Sequence, residues 1–296
     1  MGGEIIELEN RPQNIELLAA QKHLYIIAKR YFVLQIILTT FVVVTLAVIH
    51  FFKDIGEIIS IYSVFIAFIE VLFLKVIINR YKEKAASIQE MFDIKVLSIG
   101  RNALIEQVDL EEVGRYAKLH KKIDPTYGKL KNWYSSSIKD INSPVAKIIC
   151  QRSNCVYDFT LRRNYNISLS ILLGALSLTV ISLGAYKESS VPQFFIIGVL
   201  PVLPMFLLFI QLYKDNNDSN NTLNRVKLVA NNSWTKVLNR DDIDVSVVSR
   251  QLQDRIYQNR VSSPLIFEWF YNIKRKKLEE EMYYSVDKLV QEYRER

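Results

Sequence analysis

The sequence is short of the residues on which most enzymes and secreted scaffolds depend. Cysteine occurs twice, at Cys150 and Cys155, too few for a disulfide framework and in keeping with a reducing compartment. A lone C-x4-C without a second pair of ligands does not make a structural zinc site, so no metal is expected. The three histidines, His23, His50 and His120, share no common spacing. There is no G-x-S-x-G, no H-E-x-x-H, no P-loop and no G-x-G-x-x-G opening a helix, which removes the usual hydrolase, metalloprotease and nucleotide-binding frameworks. The chain reads as a non-enzyme without a cofactor. Its N-terminus carries Glu4, Glu7 and Glu9 where a secretory leader would be basic and then apolar, so a cleaved signal is not expected and the start reads as frayed.

What the sequence has instead is long runs with little or no formal charge. Phe32 to Phe52 holds none, and as a helix it is about 31 Å long, the thickness of the hydrocarbon core. Ile58 to Ile78 follows after the short connection Lys53 to Glu57, interrupted only by Glu70 and by Lys75, which is near enough to the exit to snorkel. Tyr165 to Tyr186 and Ser189 to Tyr213 form a second pair, separated by Lys187 and Glu188. Four such stretches predict an all-α integral membrane protein, with four transmembrane helices arranged as two hairpins plus a cytoplasmic helical body. The chain then divides into an amphipathic cytoplasmic helix (1–31), hairpin 1 (32–78), a cytoplasmic helical segment (79–164), hairpin 2 (165–213) and a C-terminal cytoplasmic helical segment (214–296).

Charge sets the orientation. Residues 80–163 contain 16 Lys or Arg against 10 Asp or Glu, while the hairpin connections are poor in basic residues. By the positive-inside rule both termini and the central segment are expected in the cytoplasm. Within the soluble parts, Pro12 and Glu16 open an amphipathic helix, and Asp109, Glu111 and Glu112 open another. A helix beginning near Ser143 runs toward the third span. Asn216 to Asn221 reads as a polar linker. Leu223 to Val237, Val247 to Val261 and Leu278 to Tyr293 carry apolar stripes at helical spacing, with Pro264 ending the second of these. Gly174, Gly184, Ala175, Ser177 and Ser182 allow close helix contact in the third span.

Several groups are candidates for function. Glu70 is a carboxyl at mid-bilayer, where insertion costs on the order of 3 kcal/mol. It serves either as assembly glue, hydrogen-bonded to Gln35, Thr39 or Thr40, or as one of a ring of carboxylates lining a cation pore in an oligomer. Pro201 and Pro204, with Gly198, must distort the fourth span, either as a gating kink or as an accommodated irregularity. Arg115, Lys118, Lys121, Lys122, Lys129 and Lys131 interleave with Trp133 and Tyr134. Basic groups beside aromatic faces suit a nucleotide or RNA, but the simpler reading of the pattern is a solvated cytoplasmic face near anionic lipid heads. Gln151, Asn154, Asp158 and Arg162 fall at three- and four-residue spacing on one helix and could form a polar network or subunit contact. Asp241, Asp242 and Asp244 could hold a cation or cap a helix.

Further along, short motifs bring a family into view. Asn14-Ile-Glu-Leu-Leu-Ala-Ala-Gln-Lys-His-Leu-Tyr25 with Ala28-Lys29 is one, and Gln89-Glu-Met-Phe-Asp93 before Val96-Leu97 is another. Trp133-Tyr134, Cys150-Gln-Arg-Ser-Asn154 with Tyr157-Asp158 and Leu161-Arg162, and Leu252-Gln-Asp-Arg-Ile256 with Arg260 continue the series. It ends in Ile266, Trp269, Tyr271, Arg275 and Glu279 to Met282. In this order around four spans the chain resembles the SMODS-associating four-transmembrane pore-forming effectors of bacterial cyclic-oligonucleotide antiphage systems. The resemblance implies an abortive-infection effector that is quiescent until a nucleotide second messenger or an activated partner triggers it and that then permeabilises the inner membrane. The implied partners are the bilayer, further copies of the chain, and a cyclic oligonucleotide or its synthase, with no role for DNA. The alternatives from the residues alone are an ion or small-molecule transporter or channel unrelated to defence, and a membrane-anchored scaffold.

Overall fold

A computed structural model describes residues 1–53, 55–186 and 190–296; the expected hairpin connections at Asp54 and at Lys187 and Glu188, and the expected start of the fourth span at Ser189, lie outside them. Every regular element among the described residues is helical. Four helical stretches, Pro12–His50, Gly56–Val96, Ser143–Ser182 and Phe194–Asn239, are long and apolar enough to cross a membrane.

The N-terminus is not frayed. Gly2–Glu9 forms a helix (α1) that packs against the 3₁₀ turn Ser136–Asp140, with Ile5 and Glu9 buried. Gly2 makes this approach possible. Its amide donates to the Ile141 carbonyl at 2.8 Å, and a Cβ there would stand 1.9 Å from the Ile138 oxygen.

Pro12–Ile36 (α2) starts with proline in its first turn, where the missing N–H is no loss. It passes through a π-helical turn, Ile37–Phe41, into Val42–Phe52 (α3). The return runs from Gly56–Ile69 (α4) through a second π-helical turn, Glu70–Leu74, into Lys75–Val96 (α5). Outside the apolar runs α2 and α5 pack on each other, and fully buried Ala19, Ala20, Ala85 and Ala86 keep their backbones close. Leu110–Lys121 (α6), capped by the Asp109 carboxylate on the Glu111 amide, covers α2 from the other side.

Ser143–Tyr186 (α7) is a single helix of 44 residues, about 66 Å long, spanning both the body and the third apolar run. The fourth run begins with the short turn Val191–Gln193 (α8) and is irregular where its glycine and prolines predict it to be. Phe194–Val199 is π-helical and Leu200–Val202 is 3₁₀ before Leu203–Asn239 (α9). Gly184 lets α7 meet this irregular segment, since a Cβ there would lie 2.3 Å from the Phe194 ring, whereas Gly174 has no neighbour within 4 Å.

The expected linker at 216–221 does not exist. These residues lie in mid-α9, with Asn216, Ser219 and Asn220 buried. Asn and Asp disfavour helix because their side chains compete for nearby backbone groups. Here that competition is removed by tertiary partners: Asn216 Nδ2 donates to the Arg162 carbonyl and to Asn166 Oδ1, and the Ser219 hydroxyl bonds Asn259 and Ser263. Val245–Ser262 (α10), capped by Asp244 through the amides of Ser246 and Val247, and Glu268–Arg294 (α11) complete the body.

Two main apolar cores result. One, inside the extramembrane body, gathers Ile5, Leu17, Leu24, Ile88, Phe92, Val96 and Ile149 from α1, α2, α5 and α7 and Ile138 from the 3₁₀ turn. The other, around Phe32, Tyr165, Met205, Phe209 and Phe270, sits where the four long helices meet the body. Truncating a fully buried leucine such as Leu24 to alanine in such a core costs about 2–5 kcal/mol.

Candidate functional site: an intramembrane carboxyl and a buried polar core

Glu70 opens the π-helical turn of the second span, and Gln35 lies opposite it on α2, 4% exposed. Gln35 Nε2 donates to Glu70 Oε1 at 2.9 Å, and Lys75 Nζ lies 3.4 Å from the same oxygen. Lys75 thus meets the carboxyl. Of the other expected partners, the Thr39 hydroxyl donates to the Gln35 carbonyl at 2.6 Å, while the buried Thr40 hydroxyl has no hydrogen bond among the described residues. Tyr62 donates to the Leu38 carbonyl at 2.7 Å within the wide turn of the first span. Pro201 is buried in the 3₁₀ turn, which packs on α3 and α4, and Pro204 opens α9. No hydrogen bond joins this turn to Glu70 among the described residues.

The basic and aromatic residues of 115–134 do not share one face. Lys118, Lys121, Lys122, Lys129 and Lys131 are exposed, and Arg115 bonds Glu112. Trp133 and Tyr134 turn inward because an aromatic ring gains more from burial than from solvent. Trp133 Nε1 donates to Asn154 Oδ1 at 2.7 Å, and Asn154 Nδ2 donates to the Tyr134 hydroxyl at 3.2 Å. The amides of both residues donate to Glu9 Oε2. Burial pushes the Glu9 carboxyl up to about 7 against the pull of those two amides. His23 and His120 pack edge to face beneath the lysines, and burial lowers the pKa of each.

Gln151, Asn154, Asp158 and Arg162 line α7 but join three separate groups. Gln151 exchanges hydrogen bonds with Ser249 and accompanies Gln253, Asn154 holds the two aromatics, and Asp158 pairs with Arg162 at 3.0 Å. Arg162 reaches on to Asn216 and the Pro264 carbonyl. Cys150 and Cys155 are free and buried apart, Cys150 in the core of the body and Cys155 in a smaller cluster with Leu223, Val226, Leu252 and Ile256 between α7, α9 and α10, so they face no common site.

The densest polar cluster comes from residues that the sequence marked only as carriers of the family resemblance, Glu90 and Asp93 in one motif and Gln253, Asp254 and Arg260 in another, joined by Arg250. Glu90 and Asp93 of α5, both buried, face α10. Arg250 reaches Glu90 and Asp254, each at 2.8 Å, Gln253 Nε2 donates to Glu90 and Asp93 at 2.7 and 2.8 Å, and Arg260 pairs with Asp93. Burial works against the Arg260 charge, but Asp93 outweighs it and holds the pKa above the ordinary value; burial and then Asp93 raise that of Glu90. The available signal was two carboxylates three residues apart, beside Met91 and Phe92, on a helix whose partner carries Arg250 and Arg260. A surface groove of about 340 Å³ opens between the C-terminal end of α5 and the N-terminal ends of α7 and α10, lined among others by Pro144, Asp244 and Ser249, with Lys147 bonding the Ser98 carbonyl at its edge.

Comparison with known proteins places this arrangement among relatives. The family described as the SMODS-associating 4TM effector domain matches residues 3–289. A probable CBASS effector molecule of Bacillus cereus (strain VD146) is 28% identical over 289 residues, covering 94% of this chain and 95% of that protein. No solved structure matches.

Proposed function

The chain belongs to the SMODS-associating 4TM effector domain family, and from that premise we propose that it is a membrane-disrupting, pore-forming effector of a bacterial antiphage system. CBASS, named for the Bacillus cereus relative, supplies the signalling context: a cyclic oligonucleotide, or the synthase that makes it, is the trigger. The observation that carries the pore reading is the Gln35–Glu70–Lys75 cluster inside the apolar runs. Polar groups at that depth are expensive and mark ion paths or bundle interiors. A single chain closes this carboxyl against Gln35 and Lys75, so the conducting form is an assembly of several copies. The basic body lies on the cytoplasmic side of the inner membrane, where it meets the trigger, and the exposed lysines around Arg115 and Lys131 are its candidate contact surface.

The test is membrane potential in cells that co-express the chain with an inducible cyclic-oligonucleotide synthase. Wild type should depolarise within minutes of induction, and Glu70→Gln, which removes the charge and with it the ion pair to Lys75, should lower the induced ion flux severalfold. Depolarisation of equal size in Glu70→Gln would reduce the carboxyl to a packing contact. No depolarisation in wild type would end the pore reading.

A further inference from the structure

Residues five apart on an α-helix point in different directions, since about 100° per residue leaves them some 140° apart. Glu70 and Lys75 escape this because the backbone bond between them itself spans five residues: the Lys75 amide donates to the Glu70 carbonyl. The wide turn sets Lys75 over Glu70 and brings its ammonium to 3.4 Å from Oε1, the oxygen that also accepts from Gln35. One carboxyl is therefore tied twice, once across to α2 and once to its own helix a turn further on. The second tie exists only while the turn is wide.

A π-helical turn holds one residue more than the α-helical turn it replaces. Rewinding it rotates everything beyond it, relative to everything before it, by about one residue's share of a turn, roughly 100°. Beyond this turn α5 is unbroken from Lys75 to Val96, and its far end is gripped through Glu90 and Asp93 by Arg250, Gln253 and Arg260 of α10. α5 is stiff and packed along α2, so a movement of α10 reaches Glu70–Leu74 through it, and the rewinding is taken up as rotation of the lightly packed α4 before the turn.

We propose that Lys75 is a positioning residue whose ion pair with Glu70 holds the second span in its wide-turned resting form. Activation rewinds Glu70–Leu74 to α-helix, parts Lys75 from Glu70, and releases the carboxyl to the ion path. This rests on the pore reading above and names its restraint.

The experiment uses the full chain in cells, with and without the induced synthase. Three forms are compared at matched membrane levels and thermal unfolding in detergent: wild type, Lys75→Met and Lys75→Arg. Lys75→Met keeps the stem and loses the charge, and should leak at rest at least tenfold above wild type. Lys75→Arg retains the ion pair and should stay silent at rest. A resting leak in Lys75→Met equal to that of wild type, where triggered wild type depolarises, overturns the restraint and leaves the pore standing. A triggered wild type that never depolarises overturns the pore itself.

Should Lys75→Met fail to accumulate, nitroxides on Ile61→Cys and Val76→Cys decide the matter. These exposed positions lie on either side of the turn, and both native cysteines are buried. Triggering should change the lipid accessibility of the label at 76 relative to that at 61. Unchanged labels at both sites in conducting membranes would overturn the proposal.

Discussion

Asp93 is 3% exposed, and its carboxylate is held by Arg260 and Gln253. Removing one partner of such a pair leaves a desolvated charge, which costs about 3–5 kcal/mol, whereas replacing both by apolar residues is often close to neutral. Arg260→Met should therefore lower the thermal unfolding temperature of the body in detergent markedly, and Asp93→Leu with Arg260→Met should recover most of the loss. If the double variant is no more stable than the single, the pair is not the unit of stability. This cluster was hard to read from the sequence because 79–93 is a region of mixed charges, where two more carboxylates look solvated. Glu70 was legible for the opposite reason: a charge within a long apolar run stands out against its background. Trp133 and Tyr134 misled because a ring beside lysines in sequence does not face the same way as the lysines.

Among the elements, α1 depends on Glu9, which accepts two amides from the 133–134 turn while burial pushes its pKa up to about 7. A carboxyl raised in the folded state binds its proton more tightly there than in the unfolded chain. Stability is thus greatest below about 4.5 and is lost as pH rises from there through about 7, by an amount on the order of 3 kcal/mol. Hydrogen exchange at the amides of Ile5 to Leu8 should be better protected at pH 5.5 than at pH 8, after correction for intrinsic rates. Glu9→Gln should remove the difference; persistence of the difference would place the titration elsewhere. The helical boundaries set by apolar stripes and caps, at Asp109, Ser143, Asp244 and Pro264, were plain in the sequence. The run 216–221 was not, since local propensity points to a loop and only Arg162, Asn166, Asn259 and Ser263, remote in sequence, turn it into helix.

At the scale of the whole molecule, body and bilayer segments are not joined by linkers. α2, α5, α7 and α9 each pass from an apolar run into the body without a break. Three glycines inserted after Asn79 would interrupt one of these rods, each costing about 1 kcal/mol in a helix interior and together making it pliant. Synthase-induced depolarisation should then be lost while the remaining helicity, followed by circular dichroism, is kept. Full depolarisation in that variant would show that α5 carries no signal. Hydrophobic run length and charge asymmetry made the four spans readable at once, whereas the continuity of the rods depends on packing between distant segments.

Three of the four long helices contain a π-helical turn within their apolar run, at Ile37–Phe41, Glu70–Leu74 and Phe194–Val199. α7 has none along its 44 residues. A shaft with a single winding from end to end stores no slack, while the first and second spans each carry one wide turn and the fourth sets a wide stretch directly against a tight 3₁₀ turn. The wide turns thus lie in the first, second and fourth spans, and α7, whose main neighbour among the long helices is α9, is the one of the four whose winding does not vary.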